Sequence, residues 1–246
     1  MIDSSDTETE TEPIGTETEI SESKRRLAES LSERDAHDLE ESTQSLGTLT
    51  ETFAENDLEQ LPDDEILETS GVLSHVREGD ETLGHVLMIE WDDVDDVMRP
   101  IRTADRLPGV SVLLRSSPGN YHLYGLSVRP RDEQLLDAVR KNGDVWQARW
   151  AVRRGYFVLR VLEKLRSESG DVYKPSPEPL RVFDSGSEYP QSRPHRDLLL
   201  DIAREHGATE VETALESALS SHEWVGDGLR VDHYQTVTDD AKEVLK

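Results

Sequence analysis

Cysteine is absent from all 246 residues, which excludes disulfides, thiolate nucleophiles and any thiolate-held zinc or iron–sulfur centre. No run approaches the roughly 18 consecutive apolar residues that read as a membrane-crossing helix. The opening MIDSSDTETETEP lacks the basic start and apolar centre of a secretory signal. These absences predict a soluble, cytoplasmic protein. Aromatics are scarce at 5%, and positive charge is outnumbered: 27 basic residues face 53 acidic ones, a net of −26, and Arg clearly outnumbers Lys. Acid excess, little Lys and abundant Thr, Ser and Ala fit a protein that stays hydrated in concentrated salt. There the Debye length is about 3 Å and self-repulsion is largely screened. The alternative is an ordinary acidic protein carrying an acidic tail.

What the chain does contain is unevenly distributed. Residues 1–23 repeat Thr-Glu with Ser, Pro and Gly, a composition too polar to offset its own ordering entropy. From Ser23 to about Phe53, Leu27, Leu31, Leu39 and Leu46 recur among charges at loosely helical distances. Residues 1–70 hold 22 acids and 4 bases, and they read as an acidic, largely disordered or helical arm.

After Gly71 the pattern changes. VLSHV and HVLMIEW (85–91) read as strands, the second nearly continuous in apolar residues as though covered on both faces. DVDDVMRPIRTADRL reads as helix, bent or broken at Pro100. VSVLLRS (110–116) and YHLYGLSV (121–128) flank the short turn SPGN (117–120) and form a hairpin. PRDEQLLDAVRKNG (130–143) is a helix stopped by Gly143, GYFVLRVLEKLR (155–166) a further strand, and YKPSPEPLRVF an extended segment. DLLLDIAREHG, TEVETALESALSSH and DDAKEVLK return to helical spacing. The expectation is an α+β core over 71–190, and residues 191–246 read as a small helical C-terminal region.

Charge reverses locally. Residues 101–200 carry 17 bases and 12 acids, a net of +5, and 14 of those bases are arginines. Arginine suits bidentate phosphate contact and stacking on bases. Arg115, Arg129, Arg131, Arg149, Arg153, Arg154 and Arg160 are the candidates for a polyanion-binding face. The bland alternative is that they pair with acids of the same chain. Because counterion release weakens phosphate binding as salt rises, contacts beyond charge are needed. Tyr121, Tyr124, Trp146, Trp150, Tyr156 and Phe157 could stack on bases, although each singly is as well explained as core.

Two motifs carry candidate chemistry. In LMIEWDD (87–93), an apolar strand delivers Glu90 and Asp92 two positions apart, which puts both carboxylates on one face. Such a pair makes a half-site for a hard cation with oxygen ligands. The alternative is that Asp92, Asp93, Asp95 and Asp96 begin a helix, where acids are favoured. In RSSPGNYHLYGL (115–126), Gly119 permits a turn whose amides can approach a phosphate, and His122 follows on the strand. A lone strand histidine is as readily structural.

In their order these motifs resemble the archaeo-eukaryotic primase superfamily, particularly primases of plasmid and viral replication. Glu90-Trp91-Asp92 matches the family's acid-x-acid pair, with Glu in place of the usual first Asp. Ser117, Gly119 and His122 match its Ser/Gly-rich turn and histidine strand. The resemblance spans about 90 residues. It implies an RRM-like antiparallel-rich sheet with helices on one face, and Mg2+ or Mn2+ held by Glu90, Asp92 and a third acid, for which Asp144 stands in the right stretch. It further implies that His122 contacts the phosphates of a nucleoside triphosphate, with Glu90, Asp92 and His122 as the catalytic set. Arg115, Ser117, Gly119, Arg154, Arg160 and Lys164 would contact nucleotide or nucleic acid. RRGYFVLRVLEK departs from the family in lacking its proline–glycine and asparagine, which leaves the third ligand open.

Three readings follow: a primase-like nucleotidyltransferase acting on DNA or RNA, a non-catalytic nucleic-acid-binding module, and an acidic interaction or scaffold protein. In the first two, the acidic arm would recruit replication proteins or occlude the basic face.

Overall fold

The computed structural model describes residues 66–141, 147, 151–152, 154–166 and 169–237. Among the described residues the fold is α+β, built from two antiparallel-rich sheets with helices packed on them.

The larger sheet is organised around β3 (Glu81–Trp91). Val86, Leu87, Met88 and Ile89 are all buried, as the unbroken apolar run requires of a strand covered on both faces. On one edge β3 pairs with β2 (His75–Glu78), and on the other with β5 (Asn120–Arg129). Next come β4 (Val110–Ser117) and β9 (Glu178–Asp184), so the order is β2-β3-β5-β4-β9, antiparallel throughout. The expected 117–120 hairpin joins β4 to β5. Where β4 ends, β10 (Gln191–Ser192) takes its place beside β5 and carries β11 (Trp224–Val225) in parallel.

The smaller sheet is centred on β1 (Ile66–Leu73). One edge of β1 pairs with β12 (Val231–Val237) along almost its whole length. The opposite edge is shared by β7 (Lys164–Arg166) and then β6 (Val158–Arg160), and β8 (Val172–Lys174) lies outside β7. The chain crosses from one sheet to the other at Leu73–Ser74–His75. Val86 N–H donates to Ser74 O and Ser74 N–H to Phe157 O, each at 2.9 Å. Between the sheets, the Tyr124 hydroxyl donates to Leu159 O at 3.3 Å.

Helix α1 (Met98–Ala104) packs on β4 and β5, and α2 (Arg131–Arg140) on β3. Both α3 (Arg193–Glu205) and α4 (Thr209–Ser217) lie against β9. Helix α3 buries Leu199, Leu200, Ile202 and Ala203 on one stripe. Each large aliphatic side chain fully buried this way contributes about 1.5–3 kcal/mol.

Four readings of the sequence change. Pro100 does not break its helix but stands in the first turn of α1, where its missing N–H is not needed. The strand read over 155–166 is two strands, interrupted at Val161–Glu163 where Val161 N–H reaches Ser70 O and Glu163 O accepts from the Thr69 hydroxyl. Strand β1 already runs from Ile66, ahead of the expected start at 71. Of the described residues after 190, β10, α3, α4 and β11 join the larger sheet's layer and β12 pairs in the smaller sheet, rather than forming a separate helical region.

Candidate functional site

The antiparallel register of β3 and β5 sets Glu90 directly opposite His122, and that of β4 and β5 sets His122 opposite Leu114. The two motifs singled out in the sequence therefore meet. His122 Nε2 donates to Glu90 Oε1 at 3.3 Å. The histidine ring is 1% exposed, whereas the Glu90 side chain is 32% exposed. His122 Nδ1 is buried and has no hydrogen-bond partner among the described residues. Burial by itself raises the Glu90 carboxyl. The hydrogen bond from His122 opposes this, as do the positive charges of His122, Lys164 and Arg160, and together they hold it down at about 2. The Glu90 backbone N–H is also occupied, donating to Gln147 Oε1 at 3.0 Å.

Asp92 stands one residue past the end of β3, which closes at Trp91. Asp93 follows with φ 52°, and the chain turns away from the sheet. Asp92 is exposed at this corner.

The 117–120 turn buttresses that corner. Gly119, at φ 81°, gives its carbonyl to Val94 N–H at 2.8 Å. Asn120 Oδ1 accepts from Asp93 N–H at 2.8 Å, and Asn120 Nδ2 donates to Ser117 Oγ at 2.7 Å. Ser117 and Gly119 thus hold the loop after Glu90 in place.

The arginines divide sharply. Arg115 stands on the face of β4 opposite Leu114 and His122, paired across the sheet with Glu178. Arg129 binds Glu133 and Asp137, at 3.0 and 2.6 Å, and Arg131 binds Asp132 at 3.1 Å. For these three, pairing with acids of the same chain is what the fold does. Arg160 is 5% exposed and uses its guanidinium structurally. It donates to Leu162 O and Pro175 O at 2.7 and 2.6 Å and to Ser116 O at 3.3 Å, tying β6 to β4. Arg154 is exposed, Lys164 is half-buried, and the charge of Lys164 reaches Glu90.

No family model matches the chain, and no curated protein or solved structure matches it either.

The donor chemistry of Glu90 and Asp92, carboxylate oxygens, suits a hard divalent cation. Among the described residues, however, no three His, Asp or Glu side chains gather closely enough to hold one. The expected third ligand, Asp144, lies outside the described residues, as do Arg149, Arg153, Trp146 and Trp150. Of the expected aromatic platform, Tyr121, Tyr124 and Phe157 are buried in the core. What the sequence reading missed is on β7 and β8: Arg166, Tyr173 and Lys174, next to Lys164 in the sheet. A basic–aromatic alternation in KLR and VYK was the available signal.

Proposed function

We propose that this chain is a nucleic-acid-binding protein whose strand pair Glu90–His122 positions a cationic surface rather than performing chemistry. One observation carries the reading. In a chain of net charge −26, the charges of Lys164 and Arg160 converge on a carboxylate that is held ionised and remains one-third exposed. His122, 1% exposed and committed through Nε2 to Glu90, acts through that carboxylate and does not itself reach a ligand.

A second reading, primase-like nucleotidyl transfer, is favoured by the exposure of Asp92 two residues from Glu90. In that reading Glu90 and Asp92 would hold Mg2+ or Mn2+, which when bound would neutralise charge on a nucleoside triphosphate. The acidic arm would then dock replication proteins.

One experiment separates the two. Oligonucleotide binding and primer extension are measured in high salt, with and without Mg2+ or Mn2+, for wild type, Glu90→Gln and Asp92→Ala. Binding that persists without divalent metal and survives Asp92→Ala, with no extension, supports the binding module. Metal-dependent extension abolished by Asp92→Ala supports transfer. The absence of any oligonucleotide binding over the whole salt range would reject both and favour an interaction or scaffold protein.

A further inference from the structure

Glu90 is the solvent-facing member of a pair whose other member is sealed in the sheet. His122 Nε2 donates to Oε1 at 3.3 Å from a ring that is 1% exposed, while the Glu90 side chain is 32% exposed. The main chain beneath it is fixed as well, since Glu90 N–H donates to Gln147 Oε1. Burial alone would raise the carboxyl, but the hydrogen bond from His122 and the charges of His122, Lys164 and Arg160 keep it ionised. Its charge is therefore answered inside the chain. Those neighbouring positive charges also disfavour a cationic occupant, and among the described residues no three His, Asp or Glu side chains gather to hold a metal. What Glu90 still offers is acceptor capacity. An ionised carboxylate has about four lone-pair sites on its two oxygens, and His122 takes one of them.

Resting on the nucleic-acid reading above, we propose that Glu90 reads a base, accepting hydrogen bonds from the Watson–Crick edge of an unpaired guanine. The partner of this carboxylate is a neutral donor, and on a polyanionic ligand the neutral donors are on the bases. Guanine sets two of them side by side, N1–H and the N2 amino group, to match the two carboxylate oxygens. Adenine and cytosine place a ring-nitrogen acceptor beside their amino group, and thymine flanks its N3–H with two carbonyls. Each of these turns lone pairs toward the carboxylate. In a duplex the same edge of guanine is engaged with cytosine, so the strand that is read is single. His122 is a positioning residue here, acting through Glu90.

The test uses the full chain and fluorescein-labelled oligothymidines with dT, dG, deoxyinosine, dA or dC at one central position, read by anisotropy across a KCl series. The dG oligomer should bind about five- to 100-fold more tightly than oligothymidine. Deoxyinosine keeps N1–H but lacks the amino group, and should fall between them. Glu90→Gln replaces one acceptor oxygen with a donor and should erase the preference, with oligothymidine bound at least as tightly as by wild type. Glu90→Asp keeps the charge, shortens the reach and should lose the preference too, so the test does not depend on one variant folding. A merely structural role would weaken all five oligomers together and leave their order unchanged. If wild type binds all five equally, or favours dA or dC over dG, base reading by Glu90 is wrong and the nucleic-acid reading stands. A dG preference that persists in both variants would likewise overturn it. If wild type binds none of them, both readings fall.

Discussion

His195 Nε2 donates to the carbonyl of Leu73 at 2.8 Å, fastening α3 to the last residue of β1. Its other nitrogen accepts from the Ser192 hydroxyl at 2.7 Å, so the ring is satisfied as a neutral imidazole. One residue on, the Ser74 hydroxyl takes Phe157 N–H and gives its own proton to His85 Nδ1, both at 3.0 Å. The His75 ring lies 4.6 Å from that of His85. The corner at which the chain passes between sheets is thus held by three histidines.

These histidines predict acid lability. Burial is the largest cause in each case. It lowers His195 to about 4, with the charge of His75 adding and the bond to Leu73 opposing. His85 falls to about 3, with His75, Arg131 and His195 adding. His75 falls to about 4, with Arg230, Arg77 and Arg131 adding. Because the folded values lie below 6.5, the unfolded chain takes up protons first as pH drops. Stability is full above about pH 6.5 and is lost progressively toward pH 3, by at most about 1.4 kcal/mol per pH unit per histidine. Urea titrations between pH 7 and 5, above the range of ordinary carboxylates, check this, and a flat curve there would refute it. Glu90 adds a second loss at lower pH, between its ordinary 4.5 and about 2.

Gly109 predicts a steric lesion. Its φ is 76°, and a Cβ there would lie 2.5 Å from Gln191 Nε2 and 2.7 Å from Ser127 Oγ. That glutamine bridges Val110 N–H, Ser127 and Tyr189 O. Gly109→Ala should cost about 2 kcal/mol or more through strain and displaced hydrogen bonds. Denaturation within about 0.5 kcal/mol of wild type, the scatter expected of a harmless surface change, would count against it.

The C-terminal strand predicts a truncation effect. Register pairs run from Ile66↔Val237 to Val72↔Val231. Ending the chain after Arg230 strips one whole edge of β1, and exposed strand edges invite aggregation. Loss of the cooperative thermal transition is expected. A truncated chain melting like wild type would contradict the assignment of β12 to the core.

Net charge predicts a salt effect. With −26 charges, self-repulsion opposes the compact state until salt screens it. Melting temperature should climb as KCl is raised toward molar concentration, and a temperature independent of KCl would remove the case for salt adaptation.

Local pattern was enough to read much of this chain. The apolar run ending at Trp91, the turn at Ser117–Asn120 and the amphipathic spacing of Leu135, Leu136 and Val139 each depend on neighbours in sequence. Strands β3, β4 and β5 and helix α2 were therefore legible, and Glu90 and His122, read as parts of one site, are register partners. Illegible were the partners of β1, since nothing near Ile66 refers to a strand some 165 residues later. The VDHYQTV segment offered β-branched and aromatic residues but no sign of where they would pair.

Composition and periodicity by themselves determined the acidic character, the α+β class and the central hairpin, because those follow from short-range preference and from counting. Tertiary structure alone decided that His122 is sealed behind Glu90 and that Arg115, Arg129 and Arg131 are spent on acids of their own chain. It alone also brought Lys164 and Lys174 face to face. The reason is physical: burial and pairing are set by strand register and by which sheet covers which face, and both depend on contacts between segments far apart in the chain.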